Sequence, residues 1–169
     1  MIARPMLTPP QLQYCDARPY AAIRTRLRRV EQVSALAPLM WAEVRSWLAF
    51  EGWLEAGPPF VRYHRIEGDG GVDLEVGLTI FSPLHLTPTK GSGRIAMGVL
   101  PEGEYATLLH SGPYDELAAA RSALESWGRD QGMTPSRSPA DPGGELLEFY
   151  LREQETEVAL HVPSIPAGP

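Results

Sequence analysis

A chain of 169 residues is long enough for one domain with a substantial hydrophobic core, and its 21 Asp and Glu against 15 Lys and Arg leave a formal charge of -6. That balance argues against direct binding to a nucleic-acid backbone, because the one positive cluster, Arg24, Arg26, Arg28 and Arg29, is short. A single cysteine, Cys15, excludes an intramolecular disulfide, no secretory leader pattern opens the chain, and the apolar stretch from Leu36 to Leu54 is broken by Glu43, Arg45 and Glu51. The expectation is a soluble cytoplasmic protein, a monomer or weak dimer, with no membrane or direct nucleic-acid partner.

Residues 1–12 carry Pro5, Pro9 and Pro10, and the stretch from Pro163 to Pro169 is also proline-rich, so both ends read as irregular tails. Tyr20 to Leu27 alternates as a strand. From Ser34, a candidate N-cap, to the stop at Gly52, apolar residues recur at helical spacing through Leu36, Met40, Val44, Trp47 and Leu48. Two strands follow, Pro59 to Ile66 and Val72 to Phe81, joined by the hairpin-like Glu67-Gly68-Asp69-Gly70-Gly71. Ser82 to Gly93, with Pro83, Pro88, Gly91 and Gly93, reads as a connection between halves. Gly93 to Val99 and Glu104 to His110 then flank the turn Pro101-Glu102-Gly103. Asp115 to Gln131 is helical, and strands from Glu145 to Glu153 and Thr156 to Val162 close the chain after a loop around Pro139 to Gly144.

The order of elements repeats, and so do residues. Trp47 to Gly52 and Trp127 to Gly132 share Trp-x-x-x-x-Gly, Glu75 to Ile80 matches Glu157 to Val162, and Tyr20 to Ile23 matches Tyr105 to Leu108. This implies one α+β domain over residues 1–169 built from duplicated βαββ units, about 11–82 and 93–163. Antiparallel sheets would carry two helices on one face. If those helices cover Leu74, Val76, Leu78, Val158, Leu160 and Val162, the opposite face forms a ligand groove between the repeats.

In the strand from Glu145 to Glu153, Leu147, Phe149 and Leu151 are expected to face the helices, which turns Leu146, Glu148, Tyr150 and Arg152 into the groove. A carboxylate between apolar and aromatic neighbours suits a lipophilic cation or, with Tyr150, the activation of a water or electrophile. The residues alone favour a plainer reading, a surface carboxylate or one paired with an Arg such as Arg24 or Arg62. Tyr63 alternates with Phe60, Arg62 and His64, so its face is ambiguous. Trp41 lies off the helix stripe, at the pocket mouth or packed at the helix edge, whereas Trp47 and Trp127 read as core. His64, His85, His110 and His161 lack the spacing of a metal site, and Gly91-Ser92-Gly93 lacks the context of a phosphate cradle, so neither a metal nor another cofactor is expected. Gly112-Pro113-Tyr114-Asp115 reads as a strand-to-helix turn.

Gly103-Glu104-Tyr105-Ala106 followed by His110-Ser111-Gly112-Pro113-Tyr114 resembles a segment of GyrI-like effector-binding domains, and Glu148-Phe149-Tyr150-Leu151 resembles that family's Glu-x-Tyr strand, with Glu157-Val158 opening its final strand. The resemblance runs from about Gln11 to Pro163. It implies a duplicated βαββ fold with an aromatic cleft and a central glutamate, here Glu148. In AraC-type and MerR-type regulators such a domain follows a helix-turn-helix module; here the first strand comes too soon after Met1, so a free-standing form is expected. The resemblance then implies a binder of bulky aromatic, often cationic compounds, with Glu148, Tyr150, Leu146, Trp41, Tyr63, Tyr105, Tyr114 and His161 as the expected contacts. Two alternatives accompany it: a hydrolase of reactive cyclopropane-containing compounds with Glu148 as the catalytic residue, and a gyrase-inhibitor-type protein-interaction module.

Overall fold

The computed structural model describes residues 6–81, 93–133 and 144–162. In chain order these form β1 (Met6–Leu7), β2 (Gln11–Cys15), β3 (Arg18–Leu27), α1 (Val33–Glu51), β4 (Leu54–Glu55), β5 (Phe60–Ile66) and β6 (Val72–Phe81). They continue with β7 (Ile95–Leu100), β8 (Gly103–Ser111), α2 (Leu117–Asp130), β9 (Leu146–Arg152) and β10 (Glu155–Val162). Short 3-10 turns, Val30–Gln32 and Tyr114–Glu116, lead into the two helices. The expected connection at 82–92, the loop around Pro139 and the tail after Pro163 lie outside the described residues.

The strands form an antiparallel sheet in the order β1-β8-β10-β9-β5-β6-β3-β7, with β2 also beside β8 and β4 beside β6. Outward from the central β5–β9 seam the strands run β5-β6-β3 one way and β9-β10-β8 the other. Each of those halves has the chain order strand, helix, strand, strand. The matched segments of β6 and β10 therefore occupy equivalent second places, and both turn their alternate apolar residues toward a helix. Val76 and Leu78 share a core with α1 residues Met40, Val44 and Leu48, and Val158 shares it with α2 residues Leu117, Ala120 and Leu124. The result is an α+β architecture.

Local chemistry sets the helix ends. The 3-10 turn is pinned where the Arg29 backbone N–H donates to Gln32 Oε1 at 3.1 Å, so α1 starts at Val33 and Ser34 falls inside its first turn instead of capping it. Gly52 stops α1 as expected: its φ of 80° is a left-handed conformation that a side chain would disfavour.

Several expectations change. Leu147 and Phe149 do not face the helices. With Tyr20, Ala22, Phe60, Leu100, Tyr105 and Ala159 they form a second apolar cluster on the other side of the sheet. The sheet edges are tied together there, since only residues 16–17 separate β2 from β3 and only 101–102 separate β7 from β8. Both faces are thus buried, and alternation alone cannot say which one meets the helices. The strand expected over Gly93 to Val99 does not pair across the turn Pro101-Glu102-Gly103 with the strand that follows: observed as β7, it pairs with β3 at the far edge. Part of the N-terminal stretch read as a tail forms β1 and β2, which extend the sheet beside β8. Trp47 and Trp127 are half-buried at the margin of the core.

Candidate functional site

Glu148 stands on the helix-bearing face of β9, with Val61 of β5 opposite on one side and Val158 of β10 on the other. Its side chain is fully buried, 0% exposed. A carboxylate withdrawn from water needs compensating donors, and three side chains supply them. The Tyr63 hydroxyl donates to Oε1 at 2.6 Å, the Tyr150 hydroxyl donates to the same oxygen at 3.0 Å, and Arg121 Nη1 of α2 donates to Oε2 at 2.6 Å. The Arg121 guanidinium also lies over the Tyr63 ring, 5.4 Å from its centroid.

The three donors keep their protons. Burial, reinforced by the negative charge of Glu148, holds the phenols of Tyr63 and Tyr150 well above their ordinary range, so both remain donors at neutral pH. Burial works against the charge on Arg121, but the adjacent Glu148 carboxylate more than offsets this and raises its pKa.

A cavity of about 110 Å³ lies against this group, between the leading turns of the two helices. Tyr63, Glu148 and Tyr150 line it from the sheet, Val33 and Leu117 from the helices, and the exposed Glu31 and Asp115 add carboxylates. It can hold a flat apolar body against tyrosine faces, offer hydroxyl donors, and place a buried negative charge beside them. A carboxylate has about four lone-pair directions, and three are engaged here.

The expected contacts are only partly brought together. Tyr63 and Tyr150 bond Glu148 directly, and Tyr114 packs edge-on to Tyr150 with ring centroids 5.6 Å apart. Trp41 stands behind Tyr150, at 5.0 Å between centroids, with its indole N–H donating to the Phe60 carbonyl at 3.1 Å. It is buried packing and not the pocket mouth. Leu146 is core, opposite Tyr63. Tyr105 and His161 belong to the other side of the sheet. Their rings lie 4.9 Å apart, and the Tyr105 hydroxyl donates to the Pro101 carbonyl at 2.6 Å, away from Glu148. Period-two geometry explains this, because Ala106 and Leu108 are the β8 residues that face the helices.

The groove is also on the face opposite to the one expected: it opens between the helices and not behind the sheet. The partner of Glu148 is neither Arg24, which pairs with Asp73, nor Arg62, which donates to the Gly144 carbonyl and the Tyr20 hydroxyl. It is Arg121. One signal for it is visible in the sequence: Arg121 lies four residues after Leu117 and three before Leu124, on the apolar stripe of α2. Among the described residues no cluster of His, Cys, Asp or Glu could hold a metal ion, and no helix is long and apolar enough to cross a membrane.

A family model described as the GyrI-like small molecule binding domain matches residues 8–162. The chain belongs to this family. Other structures share the GyrI-like fold. The C-terminal domain of EcmrR matches with a TM-score of 0.72 and 19% identity over 93% of this chain and 98% of that one. In the EcmrR–DNA complex the match covers 58% of the EcmrR chain, so the present chain spans less than two thirds of that protein's length. SAV2435 bound to tetraphenylphosphonium matches with a TM-score of 0.56 and 12% identity, over 93% of this chain and 95% of that one. A hydrolase from Listeria innocua matches with a TM-score of 0.58 and 12% identity, over 90% of each chain. No curated protein matches the sequence.

Proposed function

We propose that this GyrI-like domain binds bulky aromatic, lipophilic compounds, cations among them, in the cleft between its helices, with Glu148 supplying the charge that selects them. The observation that carries this reading is a fully buried carboxylate held by two tyrosine hydroxyls beside a cavity. Tyr63, Tyr150 and Tyr114 offer ring faces and edges to a flat ligand, and an aromatic cation gains from both the rings and the carboxylate. The charged lining adds to the attraction: Glu31, Asp115 and Glu148 face a single guanidinium, Arg121. The fold likeness to SAV2435, a protein whose structure contains a bulky aromatic cation, agrees with the same class of ligand.

The cleft has to widen for such a ligand. Sites for drug-sized molecules run to roughly 300–1,000 Å³, against about 110 Å³ here. The leading turns of α1 and α2 form the movable wall, since the sheet side is held by strand pairing.

Titration of a rhodamine dye by fluorescence with the wild type and Glu148→Gln tests the reading. Dissociation constants on the order of micromolar are expected for the wild type, with a loss of at least about tenfold in the variant, which corresponds to about 1.4 kcal/mol. Equal affinity in the two proteins, or no binding by either, would overturn it.

A further inference from the structure

Glu148 already holds a cation, and the protein itself provides it. The Arg121 guanidinium sits 2.6 Å from Glu148 Oε2 and over the Tyr63 ring at 5.4 Å to the centroid, with its side chain only 13% exposed. A planar, delocalised charge laid on an aromatic face and bonded to a carboxylate is also how an aromatic cation would be recognised in this cleft.

We propose that Arg121 is an internal stand-in for the ligand: it neutralises Glu148 in the closed cleft and exchanges places with the planar cationic group of an incoming aromatic amidinium or guanidinium compound. This rests on the cation-binding reading of Glu148 and makes Arg121 the residue that sets which cations are accepted. Glu148 without any partner would be a buried, uncompensated charge, so Arg121 leaves only as a cation takes its place. A compact ammonium gives up more hydration and stacks less well than the guanidinium it must displace, so the exchange favours planar, delocalised cations.

The released side chain has a place to go. Glu125 lies one helical turn along α2, at the i+4 spacing that brings side chains together, and it is only partly buried. Burial pushes its carboxyl up, while the charges of Arg129 and Arg121 act in the opposite sense. Rotation of Arg121 toward Glu125 would carry the guanidinium out of the cavity and keep it paired.

The test is calorimetric titration of benzamidine and of benzylamine into the wild type, Arg121→Met, Arg121→Lys and the double variant Arg121→Met/Glu148→Gln. Arg121→Met removes the competitor and is expected to bind benzamidine at least about tenfold more tightly than the wild type. Benzylamine should gain less. Arg121→Lys keeps the buried pair, and therefore the fold, but a lysine stacks poorly and is more easily displaced, so a gain of about threefold for benzamidine is expected. The double variant replaces a buried ion pair with neutral side chains, a change that proteins tolerate well, and should fold but lose the gain. If both Arg121 variants bind benzamidine no better than the wild type while Glu148→Gln still weakens rhodamine binding at least about tenfold, the exchange is wrong and the cation site stands. If no cation binds any of the proteins, both readings fall.

Discussion

Tyr63 of β5 and Glu148 of β9 join hydroxyl to carboxylate at 2.6 Å across the seam between the two halves of the sheet. The bond links the candidate site to the centre of the fold, so its loss should be felt as instability as well as in binding. Tyr63→Phe keeps the ring beneath Arg121 and removes only the donor. A hydrogen bond to a charged group contributes about 1.5–3 kcal/mol, and a loss in that range is expected as a lower urea midpoint with an unchanged m value. Tyr150→Phe should cost less, because its bond to the same oxygen is longer at 3.0 Å and Tyr63 remains. Equal stability of Tyr63→Phe and wild type would mean that the bond is not formed in solution.

The same phenols predict an alkaline limit to stability. Tyr63 and Tyr150 are held well above the ordinary tyrosine range by burial and by Glu148, and Tyr20 is pushed up to about 12, by burial first and then by Glu75. In the unfolded chain each ionises near pH 10. The native state therefore binds more protons than the unfolded state above that pH, and stability, complete below pH 10, falls as pH rises beyond it. Urea midpoints should drop between about pH 10 and 11, and the phenolate absorbance of these residues should emerge together with unfolding. Tyrosines that all titrate reversibly near pH 10 in a folded protein would contradict the burial.

Close packing of the sheet is set at Gly77. A Cβ there would lie 2.5 Å from the Ala21 carbonyl oxygen of β3 and 2.6 Å from the Ala22 Cβ, and neither contact belongs to a flexible side chain. Gly77→Ala forces β3 and β6 apart at their paired centre and is expected to cost roughly 1–3 kcal/mol. Ala22→Gly relieves only one of the two contacts. A double-mutant cycle should therefore show favourable coupling but incomplete recovery; strict additivity would place the strain elsewhere.

The alternation of Leu74, Val76 and Leu78 and the stop at Gly52 are legible in the sequence, because one-sided periodicity and a left-handed cap depend on local chemistry. The sidedness of β9 is not. Period-two spacing puts Leu146, Glu148, Tyr150 and Arg152 on one face, but Leu147 and Phe149 are as apolar as any helix-facing pair and have their own cluster to enter. Tyr63 is ambiguous because Phe60, Arg62 and His64 alternate with it and both faces of β5 are buried, Val61 and Tyr63 in the helix-side core and Phe60 in the cluster on the other side. Tyr105 and His161 sit close in sequence to helix-facing residues and are turned away from Glu148 by a single step of the pleat. Arg121 was missed because a charged helix residue is ordinarily solvated, and only the position of Glu148, brought from a distant strand, gives it a buried partner.

His110 predicts an acid limit separate from that of the carboxylates. It is 1% exposed on β8, directly opposite Thr156 of β10, and neither ring nitrogen has a hydrogen-bond partner among the described residues. Burial lowers its pKa, opposed in part by the charges of Glu116 and Glu148, so the native state keeps the ring neutral where the unfolded chain, with a pKa near 6.5, takes up a proton. Below about pH 6.5 the unfolded state binds more protons, and stability falls as the solution is acidified. Glu75 contributes only lower down: burial pushes its carboxyl up, but the bonds from His64 and Tyr20 outweigh this and leave it below the ordinary carboxylate range. Between pH 7 and pH 5 the wild type should therefore lose stability through His110, while His110→Gln, which cannot titrate, should show a flatter profile. Urea midpoints measured across that window decide it: parallel profiles for the two proteins would mean that His110 is protonated, or reached by water, in the native state.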